Sequence, residues 1–76
     1  MNKRFSKFYV AILDNRVVVF NTNLANFIVE LRGIEPGINS LSYYDKRFRK
    51  EEIMYYTSRL GKTYTIQKLI NPYLYQ

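Results

Sequence analysis

The sequence predicts an α+β fold, a small ββααββ domain in which an antiparallel sheet of about four strands has two helices packed on one face. Three observations lead to it. Each end of the chain holds two β-rich runs separated by turn residues, the middle holds two helical segments, and each helical segment carries one apolar stripe that must be covered. At this length of 76 residues, we expect a single domain over residues 1–76.

The first hairpin is predicted in KFYVAILDNRVVVF, residues 7–20. Both arms are β-branched and aromatic, and Asp14 and Asn15 form the two-residue turn because both tolerate a positive φ angle. The apolar runs are nearly continuous, so we expect at least one arm to be buried on both faces.

The second hairpin is predicted in EIMYYTSRLGKTYTIQKLI. Its arms lie around residues 53–58 and 63–70, and the turn between them contains Gly61, which can supply a positive φ angle. The last residues, NPYLYQ, begin with a breaker, and we expect a tail packed by Tyr73 or Leu74.

Two helices, over residues 23–32 and 40–51, are predicted between the hairpins. The first has apolar residues at positions i, i+3, i+4 and i+7, namely Leu24, Phe27, Ile28 and Leu31. A polar residue among 21–23 can cap its start, and Arg32 and Gly33 suit its end. The predicted core consists of Phe8, Val10, Ile12, Val17, Val19, Leu24, Phe27, Ile28, Leu31, Leu41, Tyr44, Phe48, Ile53, Tyr64 and Ile66.

The second helix separates its apolar residues from its basic ones. Its apolar stripe consists of Leu41, Tyr44 and Phe48, at positions i, i+3 and i+7. Its other side carries the predicted nucleic-acid-binding residues, Tyr43, Lys46, Arg47, Arg49 and Lys50. Phosphate binding needs several lysines or arginines on one surface, and bases stack well on tyrosine. The alternative is a solvated helix face whose C-terminal cations complement the helix dipole.

The tyrosines indicate a second kind of partner. The chain has eight tyrosines, more than a core of this size can fully bury. Tyrosine is enriched at protein interfaces because it offers a large contact area and keeps a polar hydroxyl. We therefore predict that Tyr43, Tyr55 and Tyr73 bind a protein partner. The alternative is that the tyrosines belong to the core and expose only their hydroxyls.

The composition argues against catalysis. The chain has no cysteine and no histidine, which excludes thiolate metal sites and removes the commonest general base and metal ligand. No nucleophile has a neighbouring base, and no two carboxylates have a useful spacing. We therefore expect a non-enzymatic protein with no cofactor and no metal site. The net charge of +6 favours a polyanionic partner or serves solubility.

The segment GKT, residues 61–63, is similar to the end of a phosphate-binding loop. That motif needs a glycine five residues before Gly61, where Tyr56 stands, and it must precede a helix. Here the segment belongs to a hairpin turn that precedes a strand. The sequence therefore argues against nucleotide binding.

No targeting or membrane segment is predicted. Three basic residues, Lys3, Arg4 and Lys7, precede the apolar run FYVAIL, but this run is shorter than the roughly 7–15 apolar residues of a signal peptide. No run approaches the roughly 20 apolar residues of a membrane span. We expect a cytoplasmic protein.

The order of KFYVAILDNRVVVFNTNLANFIVEL and INSLSYYDKRF resembles small proteins of phages and mobile elements in which a hairpin precedes a helix-turn-helix. The resemblance covers roughly residues 7–50 and is one of pattern. It implies that the second helix reads DNA with Ser42, Tyr43, Lys46, Arg47 and Lys50. Helix-turn-helix units join their helices by about 3–4 residues. Here residues 33–39 lie between the helices, so a more general helical pair is the alternative.

The sequence favours one function and leaves a second as its alternative. The first is a small basic regulator that binds nucleic acid through the second helix. The second, which the resemblance implies, is a phage or mobile-element protein that docks on a host protein and inhibits or modulates it, in the host cytoplasm.

Overall fold

The computed structural model describes residues 7–70 and has the predicted ββααββ order. Its elements are β1 (Lys7–Leu13), β2 (Arg16–Asn21), α1 (Leu24–Ile34), α2 (Leu41–Arg47), β3 (Ile53–Thr57) and β4 (Thr63–Ile70). The strands form one antiparallel sheet in the order β2-β1-β4-β3. The predicted fold class is confirmed. The predicted tail, with Tyr73 and Leu74, lies outside the described residues.

Both hairpins turn where the sequence places them. Asp14 and Asn15 have φ angles of 53° and 64°, and Gly61 has a φ angle of 88°. Consecutive positive φ angles give the tight turn whose twist matches that of the flanking strands. Beyond the first turn, the register between β1 and β2 shifts, so that Val18 is an extra residue in β2.

Helix α1 begins as predicted but ends later. The side chain of Asn23 caps its first turn by accepting a hydrogen bond from the N–H of Asn26 at 2.9 Å. The helix continues through Gly33 to Ile34, so the predicted end at residue 32 is wrong. It stops at Glu35, whose φ of −131° and ψ of 89° are not helical, because a residue before proline avoids the helical conformation.

Helix α2 is shorter than the predicted 40–51. Ser40 caps it, and the helix ends at Arg47. Strand β4 holds the chain that follows, because Lys68 donates from its Nζ to the carbonyl of Phe48 at 2.7 Å and from its N–H to the carbonyl of Glu52 at 2.8 Å. Beyond Arg47 the chain makes one more hydrogen-bonded turn, from the N–H groups of Lys50 and Glu51 to the carbonyl of Arg47. The contacts with β4 then lead it into β3.

The core lies between the two helices and one face of the sheet. Its residues are Tyr9, Ala11, Val19, Phe27, Ile28, Leu31, Ile38, Tyr44, Phe48, Met54, Tyr64 and Ile66. The two predicted helical stripes supply five of them. Every residue of FYVAIL in β1 is apolar, so alternation in the sequence could not tell which residues face the helices.

Several predicted core residues are therefore misplaced. Val17, Leu41 and Ile53 are exposed, and Phe8 and Ile12 are only partly buried, whereas Leu24 is partly buried and packs against the core. Tyr9, Ala11, Ile38 and Met54 are buried although none was predicted. The misplaced strand residues, Phe8, Ile12, Val17 and Ile53, lie on the sheet face opposite the helices, since neighbouring side chains of a strand point to opposite faces. Val10 is buried as predicted, but it lies on that same face.

No helix within residues 7–70 is long and apolar enough to cross a membrane.

Candidate functional site

The first candidate surface, which we call the basic face of α2, is formed by Tyr43, Lys46 and Arg47 on the helix and by Arg49 and Lys50 in the turn that directly follows it. Helix α2 orients it, because Tyr44 and Phe48 are buried in the core and turn the intervening residues outward. Tyr43 packs edge-on against Tyr44, with ring centroids 5.1 Å apart. The predicted separation of aromatic core residues from basic residues is present.

Arg47 is held on this surface by two neighbours. Its guanidinium forms a two-point contact with the carboxylate of Glu51, Nε to Oε2 at 3.1 Å and Nη2 to Oε1 at 2.8 Å. Its Nη1 also donates to the hydroxyl of Tyr43 at 2.6 Å, and its Cζ lies 5.4 Å from the centroid of that ring. The hydrogen bond from Arg47 lowers the pKa of Glu51. The charge of Arg47 is therefore compensated, and the side chain is fixed in place.

Arg49 is paired more loosely. Its Nη2 lies 3.2 Å from Oδ2 of Asp45, and both side chains are exposed. Exposed pairs of this kind contribute roughly 0–1 kcal/mol. A phosphate group can therefore replace Asp45 as the partner of Arg49 at little cost.

Of the four basic residues on this surface, Lys46 and Lys50 are the two whose side chains form neither an ion pair nor a hydrogen bond within residues 7–70. Both side chains are exposed, and both residues are four positions from each other in sequence. The five predicted nucleic-acid-binding residues therefore fall into three groups. Lys46 and Lys50 are accessible, Arg49 can exchange its carboxylate partner for a phosphate, and Tyr43 and Arg47 hold each other in place.

A cleft of about 280 Å³ adjoins this surface, between the end of α2 and the sheet. Its lining residues are Lys7, Tyr9, Leu24, Asp45, Phe48, Arg49 and Lys68. The three cations there extend the positive surface from Arg49 towards β1 and β4. Burial, and secondarily the charge of Asp45, raises the pKa of the Tyr9 hydroxyl.

The sequence reasoning missed Lys68 as part of this surface, whereas Lys7 is one of three N-terminal basic residues that the sequence offered as a possible extension of it. Lys7 and Lys68 lie near opposite ends of the described chain and come together because β1 pairs with β4, with Tyr9 opposite Lys68. The only local signal for Lys68 is that it alternates along β4 with residues of the other face and so shares a face with the core residue Ile66.

The second candidate surface is the sheet face opposite the helices, which we call the open sheet face. The strand registers assign twelve residues to it: Phe8, Val10, Ile12, Val17, Phe20, Ile53, Tyr55, Thr57, Thr63, Thr65, Gln67 and Leu69. None of the twelve is charged. A sheet face turned to water is ordinarily polar, so this surface is unusual in composition.

Large apolar side chains protrude from the open sheet face. Tyr55 is 70% exposed, Val17 59% and Phe20 54%. The ring of Phe20 stacks on that of Phe8, with centroids 5.7 Å apart. Within residues 7–70, the helices cover only the other face, so these side chains have no helical layer over them.

The three tyrosines predicted to bind a protein partner do not come together. Tyr55 lies near one edge of the open sheet face, and Tyr43 lies on α2, on the other side of the sheet. Tyr73 lies outside the described residues. The sequence reasoning missed the companions of Tyr55 because it assigned Val17 and Ile53 to the core.

Within residues 7–70 no group of three or more carboxylates lies close enough together to hold a metal ion. Comparison with protein-family models, with curated proteins and with solved structures finds no match to this chain.

Proposed function

We propose that the protein is a small non-enzymatic binding protein that docks on another protein molecule through the open sheet face. One observation carries the proposal: twelve neighbouring positions hold no charge, while Tyr55, Val17 and Phe20 are more than half exposed. Exposed apolar side chains gathered on one uncharged face of a small protein mark sites of interaction. The docked protein is either a host protein that is inhibited or modulated, as the resemblance to phage proteins implies, or a second copy of this chain.

The chemistry of the open sheet face fits a protein better than a polyanion. It combines aromatic and aliphatic side chains with a polar strip on β4, formed by Thr63, Thr65 and Gln67. Protein interfaces have cores that are depleted in charge and enriched in aromatic residues. Nucleic acid needs cations that contact phosphates, and this face provides none.

Site-specific photo-crosslinking tests the proposal, and the absence of cysteine from the chain makes it straightforward. A benzophenone maleimide is attached to Tyr55→Cys and, as the matched control, to Val29→Cys on α1. The two native side chains are 70% and 69% exposed, so only the surface differs. We expect a discrete protein adduct in cell extract from position 55 and none from position 29.

The same experiment can contradict the proposal. No adduct from position 55, or the same adducts from both positions, would show that the open sheet face makes no specific contact. Circular dichroism of both labelled variants must match that of the unlabelled chain, so that a loss of fold is not mistaken for a loss of contact.

Nucleic-acid binding by the basic face of α2 is the second candidate function. The observation that favours it is the exposure of Lys46 and Lys50 without carboxylate partners, next to a cleft to which Lys7, Arg49 and Lys68 contribute. Together these residues place five basic side chains on the helical side, with Asp45 as the acidic residue of the cleft. Its affinity would depend on salt, because phosphate contacts release counterions.

A mobility-shift series at two salt concentrations, with duplex and single-stranded DNA and RNA, tests this second function. We expect Lys46→Gln with Lys50→Gln to weaken binding and to reduce the salt slope by about 0.9 for each lost contact with a duplex phosphate. The control is Arg47→Gln with Glu51→Gln, which removes both partners of the ion pair and leaves the net charge unchanged, so a small effect is expected. Absence of any shift at low salt would exclude nucleic-acid binding.

A further inference from the structure

We propose that the open sheet face is the interface of a symmetric homodimer. This rests on the proposed function, since it names a second copy of the chain as the protein that docks on the face. In the dimer, two sheets pack face to face, and the two helical layers with their basic surfaces point outward.

The distribution of charge selects a second copy. Each chain carries a net charge of +6, so two copies repel unless their charges lie away from the contact. Near a two-fold axis each residue lies close to its own counterpart, and like charges there would oppose association. None of the twelve residues of the open sheet face is charged, so two copies can meet there without bringing like charges together. An acidic partner would find no basic residue on this face to pair with.

The size of the face agrees with a dimer. The five most exposed large side chains of this face have exposed fractions of 70% (Tyr55), 59% (Val17), 54% (Phe20), 44% (Ile53) and 40% (Leu69). At roughly 150–250 Å² for a whole large side chain, they present about 400–650 Å² of accessible surface per copy. Interfaces of standard size take about 800 Å² from each partner. The face is therefore large enough for a specific contact, near the lower end of the usual range.

The strand registers also allow the protruding residues of one copy to contact those of the other. Phe20, Val10, Gln67 and Ile53 are paired in turn across the four strands, so they form one row that crosses the sheet. A two-fold axis along the strands places β2 of one copy over β3 of the other, with the sheets about 10 Å apart. Phe20 of one copy then lies over Ile53 of the other, and in the next row Val17 lies over Tyr55.

Sedimentation equilibrium of the full chain, over a range of concentrations, tests the dimer. We expect a species of twice the 9.2 kDa mass of the chain. Gln67→Lys puts a charge near the centre of the face without removing an apolar side chain, and we expect it to raise the dimer dissociation constant by at least about 100-fold, because a buried unpaired charge is strongly unfavourable. The matched control, Val29→Lys, puts the same charge on α1 and should leave the dissociation constant unchanged.

Each other outcome overturns the dimer in a recognisable way. A chain that stays monomeric while position 55 crosslinks to a different protein would overturn the homodimer and leave the proposed function intact. A monomer with no adduct from position 55 would overturn both. A dimer that Gln67→Lys does not weaken, with circular dichroism showing the variant folded, would mean that the copies associate through another surface.

Discussion

Tyr44 combines the best-packed aromatic ring of α2 with a hydroxyl that lacks a partner. Its ring is 2% exposed and packs against Tyr43 and Phe48. Its hydroxyl is buried and forms no hydrogen bond within the described part of the chain. Burial raises the pKa of this hydroxyl, and the side chain and backbone of Asn39, which lie close to it without reaching hydrogen-bond geometry, oppose that increase only in part. The buried ring of Tyr44 therefore stabilises the fold, whereas its buried hydroxyl without a partner destabilises it.

We predict that Tyr44→Phe increases the free energy of unfolding by about 1 kcal/mol, because it removes a buried polar group without a partner. Tyr64→Phe is the matched comparison, since the hydroxyl of Tyr64 donates to Oε1 of Glu35 at 3.2 Å. That change should lower the free energy of unfolding by about 1 kcal/mol. Urea unfolding of both variants measures the difference. A loss of stability in Tyr44→Phe equal to that in Tyr64→Phe would mean that the Tyr44 hydroxyl is hydrogen-bonded after all.

At the scale of elements, the sequence predicts what local chemistry determines. The turn at Asp14 and Asn15 and the cap at Ser40 depend on a few neighbouring residues, and both are found. The end of α2 depends on Lys68, which is 20 residues from Phe48 in sequence and holds its carbonyl from β4. Such a contact has no local signal, so the length of α2 could not be predicted.

At Gly33 the error is of the opposite kind: the glycine is a local signal for the end of a helix, but the helix does not end there. Glycine commonly ends a helix because it adopts a positive φ angle, yet Gly33 continues α1 for another residue. A Cβ atom added there would have no other atom within 4 Å. Gly33 therefore weakens α1 without a compensating contact in the described structure.

We predict that Gly33→Ala raises the free energy of unfolding by about 0.8–1 kcal/mol, the difference between the two residues in a helix interior. The comparison is Gly37→Ala, where an added Cβ would lie 2.8 Å from the hydroxyl of Tyr56, which donates to the carbonyl of Gly37. Gly37→Ala should therefore be destabilising. Thermal unfolding of the two variants measures both effects. Destabilisation by Gly33→Ala would show that the position needs glycine for a reason other than space.

At the scale of the whole molecule, charge and apolar surface lie on opposite sides. The basic cluster of α2 is visible in the sequence, and so is its partial neutralisation, because Asp45 with Arg49 and Arg47 with Glu51 have the i, i+4 spacing of helical ion pairs. The open sheet face is not visible there. It arises only when four strands from both ends of the chain pair and both helices cover the same side.

The raised pKa values of three core tyrosines indicate how the free energy of unfolding of the whole molecule depends on pH. Burial is the largest cause of a raised pKa at Tyr9, Tyr44 and Tyr64, above the ordinary value of 10.0. The folded chain therefore holds these protons more tightly than the unfolded chain does. Their contribution to stability is complete below pH 10.0 and is lost as the pH rises through the higher pKa values of the folded state.

We therefore predict that the ionisation of these tyrosines does not change the free energy of unfolding near neutral pH. Above about pH 10 we expect the free energy of unfolding to fall steeply, because the tyrosines of the unfolded chain lose their protons first. Urea unfolding at a series of pH values, with tyrosinate absorbance followed in parallel, measures the fall. Tyr9→Phe and Tyr44→Phe each remove one of the titrating groups, so each should make the fall less steep. A free energy of unfolding that stayed constant to about pH 11.5 would contradict the raised pKa values, because three buried phenols with raised pKa values must link folding to proton binding in this range.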